Sequence, residues 1–407
     1  MYRSQFLASA AAALASASVS RAATLPRAKI TLGNEVFLQS AWSDLQGKCI
    51  GVITNQTGVT SRLVNVVDAI LENRDICIKA IYSPEHGLRG DRPAGAYVPS
   101  YTDPRSGLPV HSLYGPTRRP SEAMLQGIDA LLFDIQDVGS RAYTYISTMA
   151  YAMDAAKEFQ KQIWILDRPN PIGGEMVEGP VLDPRFKSFI GLYAIPMRHG
   201  MTIGELAKLF NDRFEIGADL RVVPMTGWQR SMLWPETGLQ WVQTSPNIPE
   251  WSTTVVYPCT GLVDNAGLNG GIGTTKPFKY AGAIGLDAYR YAAALNDREI
   301  PGVYFRAAYW SPLFGETRGE QYSGVELDVF DPRAFPAVRT AVELLTALRA
   351  VSPKTLNIES ASLAKDWGTD VLGNGLRAGL SADDIESRFE PDLARFMTTR
   401  TKYLLYD

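Results

Sequence analysis

The chain has 407 residues, 45% hydrophobic and 20% charged, with a formal net charge of −3 and a sequence pI of about 5.8. That length exceeds one ordinary core and calls for two or three domains, and the composition is that of a globular protein. With no basic surplus, general binding of nucleic acid or of an anionic membrane is excluded.

Residues 1–22 place Arg3 ahead of an Ala-rich, weakly apolar stretch and end in Ser20-Arg-Ala22, the pattern of a secretory signal peptide. The stretch is too short and too weakly apolar for a permanent membrane span, and an Ala/Ser-rich tail is the alternative. Export, to a periplasm or to the medium, is the expectation. Cys49, Cys77 and Cys259 form no Cys-x-x-Cys pair and each sits in an apolar run, so all three read as small buried hydrophobes. A disulfide is open to Cys49 and Cys77 if their strands are neighbours.

Cys49-Ile-Gly-Val-Ile53 predicts a strand, followed by the turn Thr54-Asn-Gln-Thr-Gly58 and an amphipathic helix around Leu63 to Leu71. Ile76 to Ile81 is a second strand. The segment from Ser83 to Pro120, rich in Gly, Pro and Tyr, is far longer than an ordinary connection and reads as a lid or binding loop. Ala130 to Ile135 and Ile163 to Asp167 are strands separated by a helix from Tyr145 to Phe159. A helix from Thr202 to Phe214 opens with Thr202 and Glu205 spaced as a capping box. Leu220 to Val223 and Thr253 to Tyr257 are further strands. The alternation predicts an α/β fold over residues 30–262, with a parallel sheet covered on both faces. The Gly-rich run Gly261 to Gly273 marks a boundary. Residues 263–407 read as a smaller α+β domain, with helices at Leu286 to Leu295 and Ala334 to Leu348 and a half-exposed strand at Val325 to Val329.

Four successive strand ends carry polar groups: Asn55, Gln56 and Thr57; Glu85, His86 and Arg89; Asp134, Gln136, Asp137 and Arg141; Asp167, Arg168 and Asn170. Parallel strands end on one edge, so these groups are expected to converge there. Pro84, Gly87 and Gly90 shape the turn that presents Glu85 and His86, the alternative being a solvated surface turn. Asp137 reads as paired with Arg141 to orient a ligand, with Tyr143 just beyond; a helix-capping Asp with a surface Arg is the alternative.

Glycoside hydrolysis commonly needs a carboxylic acid and a carboxylate on opposite sides of the scissile bond. Glu85, desolvated by its neighbours, is the candidate acid, and Glu178 and Asp167 are further buried-looking carboxyls. His86, His111 and His199 lack metal-ligand spacing, so no metal is expected. The first strand runs into neither Gly-x-Gly-x-x-Gly nor a Walker-type loop, so neither NAD nor ATP is expected. Trp228, Trp234, Trp241 and Trp251 read equally as a sugar-stacking wall or as core.

Eight blocks together resemble the NamZ-type exo-β-N-acetylmuramidases, a family formerly classed as a domain of unknown function. They are Val52-Ile-Thr-Asn-Gln-Thr-Gly58, Tyr82-Ser-Pro-Glu-His-Gly-Leu-Arg-Gly90, Phe133-Asp-Ile-Gln-Asp-Val-Gly-Ser-Arg-Ala-Tyr-Thr-Tyr145, Leu166-Asp-Arg-Pro-Asn-Pro171, Val177-Glu-Gly-Pro180, Arg198-His-Gly-Met-Thr-Ile-Gly-Glu205, Ser245-Pro-Asn-Ile-Pro249 and Gly273-Thr-Thr-Lys-Pro-Phe278. The resemblance implies a Rossmann-like amino-terminal domain, a smaller carboxy-terminal domain and an active cleft between them. It implies release of N-acetylmuramic acid from the non-reducing end of peptidoglycan fragments, without metal or organic cofactor, so the expected partners are peptidoglycan-derived saccharides or muropeptides. Glu85 becomes the catalytic acid, with His86, Asp137 and Glu178 as further catalytic candidates. Asn55, Gln56, Arg89, Arg141, Tyr143, Asp167, Arg168, Asn170, His199, Asn247 and Thr274 are the candidates for substrate binding. One block departs from the family pattern: Asn269-Gly-Gly-Ile-Gly273 stands where Ser-Glu-Gly-Arg-Gly is expected, losing a Glu and an Arg. That departure keeps two alternatives in play, another amino-sugar specificity and a non-catalytic muropeptide-binding protein.

Overall fold

The computed structural model describes residues 29–407, so the expected signal peptide lies outside the described residues. Short apolar runs build the larger sheet from β1 (Cys49–Thr54), β2 (Cys77–Ser83), β3 (Tyr101–Thr102), β4 (Pro109–Ser112), β5 (Ala130–Asp134), β6 (Gln162–Leu166) and β7 (Asp219–Val223). The seven strands lie in the order β3-β4-β2-β1-β5-β6-β7, parallel throughout except for β3 against β4. Alternate side chains point to opposite faces. Ile50, Val52, Leu132 and Trp164 bury with α1 (Gly33–Gln39) and α2 (Val66–Leu71), whereas Ile53, Leu131, Phe133 and Ile165 bury with α3 (Tyr145–Glu158) and α4 (Ile203–Arg213). The strand order reverses between β1 and β5, and in a doubly wound sheet that is where a crevice opens at the carboxyl edge.

Two expected boundaries move. The helix expected around Leu63 to Leu71 is α2 and begins only at Val66, because the Asn65 side chain accepts from Val67 N at 3.0 Å and caps it. The long segment after Ser83 is not all loop: β3 and β4 form a hairpin that extends the sheet beyond β2. Cys49 and Cys77 are register partners on β1 and β2, 4.5 Å apart at Cα, and are joined by a disulfide instead of lying as free hydrophobes. Cys259 is free and buried.

The rest of the chain contributes α5 (Trp234–Thr237), α6 (Trp251–Thr260), β8 (Tyr280–Ala283), α7 (Ala288–Asn296), β9 (Val303–Trp310), β10 (Tyr322–Val329) and α8 (Ala337–Val351), then α9 (Ala361–Trp367), α10 (Val371–Arg377), α11 (Ala382–Glu386) and α12 (Glu390–Arg400). The second sheet is antiparallel, β8-β10-β9. The expected strand over Thr253 to Tyr257 is instead the middle of α6, with Thr253, Thr254, Val255 and Val256 all buried. Packing against α8 outweighs the β-propensity of that run. Residues 323–327 of β10 are buried rather than alternating, because β10 is the central strand. Apolar packing continues without a break from Met149 and Leu206 through Val256 to Val325 and Leu344.

Candidate active site

Many of the polar groups at the strand ends hold the frame. Asp167, fully buried at the end of β6, accepts from Arg168 N, Thr202 Oγ1, Gly204 N and Tyr406 OH at 2.6–2.9 Å. Burial still pushes its carboxyl up to about 6. Thr202 and Glu205 form the expected capping box at the start of α4. Buried Arg168 donates to Asp134 Oδ1 at 2.5 Å and to Val59 O at 2.7 Å, and Asn170 donates to Met201 O at 3.0 Å. These three residues, expected to touch substrate, are spent on the scaffold.

Arg141 is a second correction. Its buried guanidinium donates to the carbonyls of Pro180, Ile195 and Asp366 at 2.8–3.2 Å, and Asp137 faces His199 instead. Burial pushes Arg141 down to about 9. Glu178 is an ion-pair partner of Arg198 at 2.9 Å, so its carboxyl is engaged within the frame. His86 holds a left-handed turn at φ 69° while its buried ring hydrogen-bonds to Arg92 O through Nδ1, so it shapes the loop instead of facing the cleft. Arg89 is tied to Asp103 at 2.6 Å. Thr274 donates to Gly271 O at 2.7 Å and accepts from Lys276 N, setting its own turn. Asn247 is half-buried, its N–H donated to Ser245 Oγ. The tryptophans are core: Trp228 and Trp234 are buried with Ile30, Leu32 and Met225, and Trp251 donates to Pro171 O at 2.7 Å.

Other predicted groups do come together. After β1, Asn55 Oδ1 accepts from Thr57 N and Oγ1, Thr57 Oγ1 accepts from Gln136 N after β5, and Gln56 donates to Gln243 O at 2.8 Å. The turns on either side of the reversal are thereby locked together. Glu85 stands half-buried beside them, Oε1 accepting from Gly95 N at 2.9 Å and Oε2 from Thr144 Oγ1 at 2.7 Å. Tyr143 packs edge-on to Tyr145 and Tyr257, and Tyr145 OH donates to Thr244 O at 2.7 Å. Burial, then the nearby Tyr145, raise the Tyr143 phenol well above its usual range. Burial raises Tyr145 and Tyr257 as well, and the charges of Glu85 and Asp137 act on both. Met201 N donates to His199 Nδ1 at 3.2 Å, which leaves the ring proton on Nε2, 3.4 Å from Asp137 Oδ2.

Among the described residues, Asn55 Nδ2, Asp137 Oδ1, Tyr143 OH, His199 Nε2 and Thr244 Oγ1 are buried without a hydrogen-bond partner. Buried polar atoms are nearly always paired, so unpaired atoms beside a half-buried carboxyl mark a ligand site. A hollow of about 320 Å³, open solvent included, lies nearby between Thr57, Gln136, Arg168 and Trp234. No carboxylate or histidine lines it, so proton chemistry belongs to the groups around Glu85.

Sequence reasoning missed Asp264, Asp366 and Tyr114. The charges of Asp264 and Asp366 act on the same Tyr257 phenol as those of Glu85 and Asp137. Asp264 is exposed as a residue, yet desolvation of its carboxyl pushes it up to about 7. Its Oδ1 accepts from Gly270 N at 2.8 Å, and Asn269 Oδ1 accepts from Gly271 N and Trp310 Nε1. The departing loop therefore seats Asp264. Its only advance signal was an Asp inside the Gly-rich run.

A family model described as the N-terminal part of the exo-β-N-acetylmuramidase NamZ matches residues 50–252, and one for its C-terminal part matches residues 255–406. The chain belongs to the NamZ family. It is 45% identical to the peptidoglycan β-N-acetylmuramidase NamZ of Bacillus subtilis (strain 168) over 384 residues, 94% of this chain and 93% of that protein. Two crystal structures of DUF1343 family proteins from Bacteroides fragilis share the NamZ fold seen here. One has a TM-score of 0.87 at 36% identity, covering 94% of this chain and 100% of its own; the other has a TM-score of 0.75 at 30%, covering 93% and 99%.

Proposed function

We propose that this chain is a glycoside hydrolase that releases N-acetylmuramic acid from the non-reducing end of peptidoglycan fragments. The observation that carries the reading is 45% identity along 94% of the chain to a peptidoglycan β-N-acetylmuramidase. The half-buried Glu85 and the unpaired polar atoms around it support it. In this reading Glu85 donates a proton to the leaving glycosidic oxygen, while Thr144 and Gly95 N–H fix its orientation. Asp264, with Oδ2 free of protein partners among the described residues, is the second carboxyl. Tyr143, Asp137 and His199 offer hydrogen bonds to sugar hydroxyl or acetamido groups. We also infer export: the amino-terminal sequence motivates it, and the Cys49–Cys77 disulfide is of a kind that persists in oxidising compartments.

The test is release of N-acetylmuramic acid from a synthetic β-N-acetylmuramide. Glu85→Gln is expected to lose at least about a hundredfold in kcat with its fold intact, because a general acid contributes on the order of 10²–10⁴. Unchanged activity in the variant would remove Glu85 from that role. Saturable binding without turnover by the wild type would leave the muropeptide-binding alternative.

A further inference from the structure

Substrate recognition in this cleft has an electrostatic difficulty. Glu85 and Asp137 belong to this site, and their charges, with those of Asp264 and Asp366, act on the Tyr257 phenol, so the site is acidic. N-acetylmuramic acid differs from N-acetylglucosamine by a lactyl ether that carries a carboxylate, and an anion entering such a site needs a cation. The arginines at the predicted turns are already engaged: Arg89 with Asp103, Arg168 with Asp134, Arg198 with Glu178, and Arg141 with three carbonyls.

Arg118 is different. It is exposed, and among the described residues it has no carboxylate partner within ion-pair distance. Its guanidinium carbon lies 4.1 Å from the Phe189 ring centroid and 5.2 Å from that of Tyr114. Phe189 is held in turn by stacking on Tyr151 at 5.8 Å and by the 2.6 Å bond from Ser147 Oγ to its carbonyl. Ser147 lies in the first turn of α3, whose N-cap Thr144 donates to Glu85 Oε2 at 2.7 Å, so Phe189 and Arg118 sit at the Glu85 end of that helix; burial, then the Glu85 charge, raise the Tyr114 phenol. A guanidinium resting on two rings is held in place, and with no carboxylate paired to it among the described residues it is suited to receive one bidentately.

We propose that Arg118 seats the carboxylate of the substrate's lactyl group and so selects N-acetylmuramic acid over the uncharged N-acetylglucosamine. The proposal rests on the hydrolase reading above and names the specificity of that same site.

The experiment measures binding and turnover separately. Calorimetric titration of wild type and Arg118→Gln with free N-acetylmuramic acid and with N-acetylglucosamine should show the first ligand weakened roughly 10–100-fold and the second unchanged, the scale of one hydrogen-bonded charge pair. On the β-N-acetylmuramide, KM should rise by a similar factor while kcat stays within about threefold. Arg118→Lys should recover part of the loss. Equal weakening of both sugars, no weakening of either, or a wild type that fails to bind N-acetylmuramic acid overturns the proposal. Turnover by the wild type with an unchanged KM in Arg118→Gln overturns it while leaving the hydrolase reading standing. Arg118-dependent binding without turnover does the reverse.

Discussion

Asp264 and Arg168 carry opposite lessons about reading single residues. Arg168 follows a strand, sits in a family motif and looks functional, yet both of its hydrogen-bonding arms are consumed by Asp134 and Val59. Asp264 lies in an unremarked helical turn and, among the described residues, keeps one oxygen free of protein partners. Residue type and spacing register that a charge exists; whether it is spent depends on partners far along the chain. Asp264 also permits a test by pH. A carboxyl near 7 that must be ionised to act makes kcat/KM rise as pH increases through about 7 and level off above it. Asp264→Asn is expected to lower the plateau and abolish that limb. A limb that persists in the variant assigns it to another group.

Elements were legible where local pattern and tertiary burial agree. β1, β2, β5, β6 and α4 appear where the apolar runs and the Thr202 capping box place them, because parallel strands buried on both faces are continuously apolar. α6 was misread because its β-branched run is buried by α8, a partner about a hundred residues away in sequence. The β1–β2 pair supplies its own prediction. The disulfide closes a separation of 28 residues, which in the chain-entropy picture contributes about 3–4 kcal/mol. Cys49→Ala/Cys77→Ala, or reduction of the wild type, should lower the unfolding free energy by that amount in urea titration. An unchanged midpoint would mean that the strand pairing alone holds this edge.

The carboxy-terminal segment is tied to the amino-terminal part of the chain by buried arginines and by its own last residues. Arg141 links the carbonyls of Pro180 and Ile195 to that of Asp366, Arg400 donates to Gly174 O and Gly200 O, and Tyr406 reaches Asp167. Replacing Arg141 with Leu strands three buried carbonyls, each costing about 1–3 kcal/mol, so a total loss of at least about 3 kcal/mol is expected. At temperatures where Arg141→Leu remains folded, KM should match the wild type. A raised KM with unchanged stability would return Arg141 to the substrate-binding role that its sequence position suggested.

By itself the sequence determined the α/β class, the doubly covered sheet, the family and the turn that carries Glu85. These follow from hydrophobic period, turn residues and motif order, all local quantities. Tertiary structure decided which polar groups are free: Asp137 turned to His199 instead of Arg141, Asp167 and Arg168 were absorbed into the frame, Cys49 met Cys77, and Arg118 came to rest on Phe189 and Tyr114. A side chain's chemistry is set by what satisfies its hydrogen bonds and charge, and those partners are chosen by packing between segments distant in the chain.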